Sequence, residues 1–397
     1  MSEKAVLRSS SCVMFTPNSG KINITIISLL FLLLFAIGSL FILLLKDNML
    51  LSKDNTLLSK HNNSNYNCFN TVYNTWEVSY NKITIAAVGD INYARGVANH
   101  IDTTSFDRPI SEVAEILKIA DITTGNLESP ISDIGSPMDK KYVFRAKPQS
   151  ITALENAGFD ILNIANNHAF DYGLSAFVDC LERFEKTNMQ IVGGGRNLKD
   201  SLVPKYMKVN GIRVAFLAFN DTRTNFIGKD KPACAPAHEP YIFDAIASAK
   251  ELCDILIVHL HWGEEYSLLP NERQISLGHA MIDSGATVII GHHPHSWQAV
   301  EFYKNGLIAY SLGNFVFDQK DLMNNLSAIL LLEFQSSALK EVRLIPIELI
   351  TAPKEARPAN SLLSDLFLAY LHEGLFFTNT EIIKKEDGSI ILQPILR

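Results

Sequence analysis

The chain has 397 residues, of which 47% are hydrophobic and 19% charged, and this composition suits a folded protein with one large core or two smaller ones. Residues 1–60 carry six Lys or Arg against three Asp or Glu, which leaves 29 basic and 39 acidic residues in residues 61–397. Because that body is acidic and shows no nucleic-acid-binding motif, we expect no nucleic acid as a partner.

Residues 22–45 form an uncharged, mostly apolar stretch that is long enough to cross a bilayer as a helix. A buried core helix is one alternative, but such helices are seldom this long and uniformly apolar. A cleaved signal peptide is another, but Lys46 and Asp47 stand where small cleavage-site residues would be expected. We therefore predict a cytoplasmic tail over residues 1–21 and a transmembrane signal anchor over 22–45 that contacts membrane lipid.

Residues 46–80 are predicted to form a stalk and linker. Two similar seven-residue segments, 46–52 and 53–59, follow the anchor and place Leu50 and Leu57 at heptad spacing. This leucine stripe would pair two stalks in a homodimer. Because two heptads are few, a solvated stalk without a partner is the alternative.

From residue 82 onward, short apolar strands alternate with amphipathic helices, which indicates an α/β fold. The predicted strands are 83–88, 121–124, 159–164, 189–192, 255–258 and 287–290, and the predicted helices are 149–157, 174–186, 243–252 and 272–284. A hairpin turn is expected at 304–306, a helix over 361–372 and a closing strand over 390–392. We assign 81–350 to one domain and 351–397 to its C-terminal extension.

Polar side chains cluster directly after the predicted strands, where open α/β sheets form their ligand sites. They are Asp90, Asn126, Glu128, Asn166, Asn167, His168, His261, His293 and His295. Carboxylates, imidazoles and an amide without a thiolate suit Mn, Fe or Zn better than Ca. Two such ions would polarise a phosphoryl or carbonyl oxygen and make hydroxide available near neutral pH. The sequence therefore predicts a site for divalent metal, with two ions.

Six motifs occur in order between residues 83 and 350. They are Gly89-Asp90 with Arg95-Gly96, Asn126-Leu-Glu128, Asn166-Asn-His168-x-x-Asp171-Tyr-Gly173, His261-Trp-Gly263-x-Glu265-Tyr266, Gly291-His-His293-Pro-His295 and Ser311-Leu-Gly-Asn314-Phe. This series resembles the motifs of the CapA family, the poly-γ-glutamate capsule proteins. The resemblance implies the fold of the calcineurin-like metallophosphoesterases, in which two packed β-sheets are flanked by helices.

The resemblance also implies a role for each matching residue. Asp90 is expected to bind the first metal ion, Glu128 to bridge the two ions, and Asn167 to bind the second. Three histidines complete the expected ligand set: His261, His293 and His295. His168 is expected to donate a proton or hydrogen bond to the substrate.

Two arginines and one asparagine need separate interpretation. Arg145 and Arg95 match family positions and are candidates for binding a carboxylate or phosphate of the substrate, with a structural ion pair as the alternative. The phosphoesterase pattern Asp-x-His is broken by Asn92, which supplies an amide where an imidazole is expected. We expect this change to loosen the first metal site.

The resemblance implies a single-pass protein of the cell membrane that acts in capsule synthesis or export, with its large domain on the extracytoplasmic side. One function compatible with it is a metal-dependent hydrolase that acts on an anionic polymer, a peptide or a phosphorylated intermediate. The alternative is an accessory subunit that binds the nascent polymer or stabilises a membrane synthase complex. Other capsule-synthesis membrane proteins are the expected partners in either case.

Overall fold

The computed structural model describes residues 81–101, 105–222, 230–350, 355–374 and 378–395. The tail, anchor and stalk predicted over residues 1–80 lie outside these ranges. Within them, no helix is both long enough and apolar enough to cross a bilayer. The cysteines that fall inside them, Cys180, Cys234 and Cys253, are free thiols.

The larger of the two main β-sheets has ten strands of mixed direction. They are β1 (Lys82–Ile91), β2 (Ile122–Leu127), β3 (Ile161–Asn163), β4 (Gln190–Val192), β13 (Asn314–Val316), β14 (Leu326–Gln335), β15 (Ala338–Leu349), β16 (Ala356–Pro358), β17 (Thr380–Lys384) and β18 (Ile390–Pro394). Strands β1 to β4 run parallel to one another, and β14, β15, β18 and β17 continue the sheet from β1 in antiparallel pairs. The short strand β13 pairs in parallel with the end of β1.

The second sheet has six strands in the order β11-β12-β10-β9-β7-β6. Their bounds are β6 (Lys205–Val209), β7 (Ile212–Asn220), β9 (Ile255–His261), β10 (Val288–His292), β11 (Val300–Tyr303) and β12 (Gly306–Ala309). The four central strands are parallel and the two edge strands are antiparallel to their neighbours. A separate two-stranded pair consists of β5 (Gly194–Gly195) and β8 (Ala233–Cys234).

Eight α-helices connect or cover these strands in the described part of the chain. They are α1 (Arg95–His100), α2 (Ala114–Leu117), α3 (Ser150–Asn156), α4 (Gly173–Phe184), α5 (Leu198–Ser201), α6 (Glu239–Lys250), α7 (Glu272–Asp283) and α8 (Ser361–Gly374). Helix α7 begins with a capping box, because the Asn271 side chain accepts from the backbone N–H of Gln274 and the Gln274 side chain accepts from that of Asn271.

The two main sheets pack face to face around one core. The alternation along β7 shows this: Val214 and Phe216 face a cluster that includes Ile85 of β1, whereas Leu217 faces the opposite side. On that opposite side, apolar residues of α6 and α7, such as Ile246, cover the second sheet. The predicted α/β architecture of two packed β-sheets with flanking helices is therefore confirmed.

Element boundaries differ from the predictions in two instructive places. Helix α6 begins at Glu239 rather than 243, because Pro240 suits the first turn of a helix, where its missing N–H costs nothing. The hairpin of β6 and β7 was not predicted, although Asn210 and Gly211 form its turn with φ of 50° and 86°. An Asn-Gly pair with both residues at positive φ is the usual signal for such a turn.

Candidate metal centre

The carboxyl ends of parallel strands from both sheets bring five of the predicted ligands into one cluster. Asp90 lies at the end of β1 and Glu128 directly follows β2. From the second sheet, His261 ends β9, and His293 and His295 follow β10. All five side chains are buried.

A chain segment, residues 310–313, passes between the two sheets beside this cluster. The backbone N–H of Asp90 donates to the carbonyl of Gly313 at 2.9 Å. A Cβ at Gly89 would lie 2.1 Å from the Gly313 oxygen, and a Cβ at Gly291 would lie 1.9 Å from the Tyr310 oxygen. Both approaches are closer than any side chain tolerates, so glycine is required immediately before the acidic and the histidine segments.

The cluster forms two groups of three, and within each group the candidate ligand atoms lie within 4.8 Å of one another. Their members are Asp90, Glu128 and His295 in the first, and Glu128, His261 and His293 in the second. Oε1 of Glu128 is 3.6 Å from Nε2 of His295 and 4.0 Å from Nε2 of His261. Glu128 thus belongs to both groups, which is the position of a bridging carboxylate.

The hydrogen bonding of Glu128 tests whether the cluster suits cations. The side chain is completely buried, yet neither of its oxygens accepts a hydrogen bond from the described residues. Burial, followed by the nearby Asp90 carboxylate, raises the pKa of Glu128 well above its ordinary value. Nδ1 of His293 is also buried and has no hydrogen-bond partner in the described part of the chain. Because unpartnered buried groups are costly, a set of carboxylate oxygens and imidazole nitrogens in this state fits divalent Mn, Fe or Zn.

The neighbours of Asp90 hold its carboxylate in one orientation. Nδ2 of Asn126 donates to Oδ1 of Asp90 at 2.8 Å, and Nδ1 of His295 lies 3.2 Å from Oδ2. Burial alone would raise the pKa of Asp90, but contacts with His292 and His295 outweigh it and hold that pKa well below its ordinary value. Asp90 is therefore a charged acceptor at neutral pH.

The histidines of the second group are neutral at neutral pH. Burial lowers the pKa of His261 well below its ordinary value and lowers that of His293 to about 4. Metals bind imidazole in this neutral form. The backbones of His293 and His295 have φ of 97° and 57°, a conformation that costs a non-glycine residue about 1–3 kcal/mol and that clusters at functional sites.

Asn167 and His168 lie against the second group from the loop after β3. Oδ1 of Asn167 is 2.9 Å from Nε2 of His261, so this amide oxygen points at the group it was predicted to join. Nε2 of His168 is 3.8 Å from Oε1 of Glu128, and its Nδ1 is 2.5 Å from Oδ2 of Asp171. His168 thus faces the cluster with one nitrogen while a buried carboxylate fixes the other.

The structure separates the two arginines predicted to bind substrate. The guanidinium of Arg145 donates to the carbonyl of Ile134 at 2.8 Å and lies 4.2 Å from the ring centroid of Tyr172, contacts that favour the structural alternative for this residue. The guanidinium of Arg95 lies 5.5 Å from the ring centroid of Phe144, which stacks on His168 at 4.0 Å. Arg95 is thus one aromatic ring away from the cluster.

The side chain of Asn92 has a local structural role. Its Oδ1 accepts a hydrogen bond from the backbone N–H of Ala94 at 2.9 Å, which closes the turn after β1. The amide oxygen of Asn92, which replaces the imidazole of the phosphoesterase pattern, is therefore already occupied by a backbone hydrogen bond.

His292 and Asn314 had no predicted role, and they also contact the cluster. Nδ1 of His292 is 3.4 Å from Oδ1 of Asp90, and its Nε2 is 3.0 Å from Nδ1 of His259. Oδ1 of Asn314 is 3.0 Å from Nδ1 of His295. Both were visible in the sequence, because His292 belongs to the fifth motif and Asn314 to the sixth.

The chain is similar to known proteins in sequence and, much more weakly, in structure. Residues 84–319 match the family described as "Bacterial capsule synthesis protein PGA_cap". The chain is 38% identical over 251 residues to the capsule biosynthesis protein CapA of Bacillus anthracis, which covers 60% of this chain and 60% of that protein. It is 36% identical over 282 residues to the PGA biosynthesis protein CapA of Bacillus subtilis, covering 70% and 73%.

Among solved structures, a calcineurin-like phosphoesterase from Bacillus subtilis aligns with 74% of this chain and 98% of its own, at 14% identity and a TM-score of 0.34. A likeness this weak carries no argument about fold or activity. The sequence matches are different in kind, because one family covers more than half of the chain and the Bacillus subtilis relative aligns over most of its length. On that evidence, this chain belongs to the bacterial capsule synthesis protein family PGA_cap.

Proposed function

We propose that the protein is a divalent-metal-dependent hydrolase-like enzyme of poly-γ-glutamate capsule synthesis or export. The observation that carries the proposal is the environment of Glu128, which is completely buried between two groups of candidate ligands while neither of its oxygens accepts a hydrogen bond from the described residues. A purely structural carboxylate would be expected to have donors around it. The family assignment supplies the capsule context.

The chain's own residues would hold two ions in a defined way. Asp90 and His295 would bind the first ion, Asn167 would join two histidines at the second, and Glu128 would bind both; those histidines are His261 and His293. Two divalent cations polarise a phosphoryl or carbonyl oxygen and make hydroxide available near neutral pH. The bond cleaved would be an ester or amide of an anionic polymer, a peptide or a phosphorylated intermediate.

His168 would move the proton in this reaction. Because the Asp171 carboxylate accepts from Nδ1, a neutral His168 ring presents an unprotonated Nε2 to the cluster. Burial lowers the pKa of His168, although the contact with Asp171 opposes the shift. Nε2 therefore takes up a proton before it acts as the donor.

The membrane part of the proposal rests on the sequence. Residues 22–45 would anchor the chain as a single span, with the large domain on the extracytoplasmic side of the cell membrane. Other capsule-synthesis membrane proteins would be its partners there, and the leucine stripe of the stalk would favour a homodimer.

An accessory role is the second candidate, and the position of Asn92 favours it. The expected imidazole is replaced by an amide whose oxygen already accepts from Ala94. A site that has lost one ligand side chain could bind metal for structure alone while the domain holds the nascent polymer or stabilises a synthase complex.

Metal analysis and complementation separate the two candidates. Full-length protein in detergent, reconstituted with Mn, Fe or Zn, should bind metal stoichiometrically and cleave phosphoesters or γ-linked glutamate peptides. The Glu128→Ala and His168→Ala variants should then fail to restore capsule polymer in a deletion strain. If both restore it fully, the accessory role replaces the enzyme, and a wild-type protein that binds none of these metals rules out the centre itself.

A further inference from the structure

A line of rings and cations runs from the candidate metal centre to the surface. Nε2 of His168 lies 3.8 Å from Oε1 of Glu128. The His168 ring stacks on Phe144, with 4.0 Å between the ring centroids. The guanidinium of Arg95 lies 5.5 Å from the ring of Phe144 and 5.1 Å from that of Tyr142, measured to the centroids. Tyr142 is 48% exposed, so this line ends in solvent.

Two lysines add positive charge close to this line. Nζ of Lys140 donates to the carbonyl of Asn167 at 2.8 Å, which places an ammonium beside a predicted ligand. Nζ of Lys141 lies 5.0 Å from the ring centroid of Tyr142. The segment 139–147 carries four basic residues and one acidic residue in a domain that is acidic as a whole.

Resting on the proposed function, we propose that a cationic rim beside the metal centre binds the carboxylates of a γ-linked glutamate chain. The rim consists of Arg95, Lys140, Lys141 and Tyr142. It would hold the residues of the polymer that flank the reacting one.

The acidic groups near the rim leave part of its charge for a ligand. Asp171 is buried and contacts both His168 and Lys140, so its charge offsets part of the charge of Lys140. Asp318 lies 3.7 Å from Nη2 of Arg95, a loose pair. Lys141 is exposed, and its ammonium rests over an aromatic ring. Arg95 and Lys141 are therefore the cations best placed to meet an incoming carboxylate.

The backbone conformation of Arg95 is also unusual. Arg95 has φ of 50°, a left-handed conformation that is unfavourable for a residue with a side chain, and it lies at the start of α1 just after the strand that carries Asp90. Arg145 differs, because its guanidinium is bound to the carbonyls of Ile134 and Gly135. Of the two arginines, only Arg95 belongs to the rim.

The form of the rim favours a polymer over a small phosphoester. A single exposed ion pair contributes little to affinity, whereas a chain with one carboxylate per residue can meet several cations at once. A compact phosphate would be satisfied by the metal centre alone. The rim extends beyond that centre and so fits the flanking carboxylates of a longer substrate.

The test uses binding rather than turnover. A decapeptide of γ-linked glutamate would be titrated by fluorescence anisotropy into full-length, Mn-reconstituted protein in detergent. The double variant Arg95→Gln with Lys141→Gln should weaken binding at least about fivefold and reduce its salt dependence. The matched control is Lys208→Gln with Lys385→Gln, which removes the same charge from two exposed lysines elsewhere and should bind as wild type.

The outcomes of this experiment test the rim proposal separately from the hydrolase proposal. If the double variant binds as tightly as the control, or if wild type does not bind the decapeptide, the rim proposal is wrong. If rim variants lose binding while wild type cleaves nothing, the rim stands and the hydrolase proposal falls. Lys141→Glu serves as a second variant, because this exposed residue can be changed without disturbing the core, and it should weaken binding more than Lys141→Gln does.

Discussion

Nδ1 of His292 lies 3.4 Å from Oδ1 of Asp90, while its Nε2 lies 3.0 Å from Nδ1 of His259. Nε2 of His259 is in turn 3.0 Å from Oγ1 of Thr124. If the hydroxyl of Thr124 donates, His259 donates its Nδ1–H to Nε2 of His292. Nδ1 of His292 then faces the Asp90 carboxylate but makes no hydrogen bond with any described residue. A buried row of two histidines therefore ends beside the Asp90 carboxylate, and we expect it to help hold that carboxylate in place.

The first prediction concerns this row. His292→Gln should lower metal affinity about 10- to 100-fold, because residues that orient ligands typically contribute that much. Competition with a chelating dye would measure it on the full-length protein. His279→Gln is the control, since His279 is a partly exposed histidine bonded to Glu301. Unchanged affinity in a folded His292→Gln protein would show that Asp90 needs no such support.

The second prediction concerns the stability of the metal-free protein. Glu128→Gln should raise its free energy of unfolding at pH 7 by about 1 kcal/mol or more, because burying Glu128 requires either an unpartnered charge or the uptake of a proton, and an amide requires neither. Metal should stabilise wild type and leave the variant unchanged. Urea unfolding with and without a chelator would measure both effects. A variant that is less stable than wild type in chelator would show that Glu128 is satisfied without a cation.

The pH dependence gives a third prediction with a definite sign. The pKa of Glu128 is raised in the folded state, so metal-free folded protein holds a proton that the unfolded chain releases above about pH 4.5. Its contribution to stability is fully present below that value and is lost as pH rises through the folded pKa. The stability advantage of Glu128→Gln should therefore grow as pH rises from 4.5. A constant difference between the two proteins from pH 4.5 to 8 would contradict the raised pKa.

The fourth prediction separates metal binding from proton transfer. His168→Ala should keep nearly all bound metal but reduce turnover roughly a hundredfold, because this residue would serve as the proton carrier rather than as a ligand. Elemental analysis and initial rates would be compared on the same preparation. Glu128→Ala is the contrasting variant and should lose metal. Loss of metal from both proteins alike would instead place His168 among the ligands.

The fifth prediction concerns the anchor. Deleting residues 1–46 should release a protein that stays in solution without detergent, because the sequence has no later stretch of bilayer-spanning length. Fractionation of cells that express the deletion would test this. Recovery of the truncated protein in membranes that require detergent would mean that another segment anchors it.

The clustering of the candidate ligands could be predicted from the sequence better than the contacts around them could. The strands were predictable because each is a short apolar run, and parallel strands must end at one edge, so Asp90 and Glu128 could be expected to meet. The contact of Arg145 with Ile134 was not predictable, because it depends on how a loop folds back on itself. The same holds for the approach of Gly89 to Gly313, which are more than two hundred positions apart in the chain.

The chain segment 310–313 passes between the two sheets, and the candidate ligands come from both of them. A metal ion bound by these ligands would link the two main sheets to each other. Opening either sheet would then release the ion, so amide exchange in β1 and in β10, which carry Asp90 and His292, should slow together when metal is added. A substitution in the core that loosens the packing of the two sheets should therefore weaken metal binding. Substitutions that impair capsule formation need not lie near the cluster.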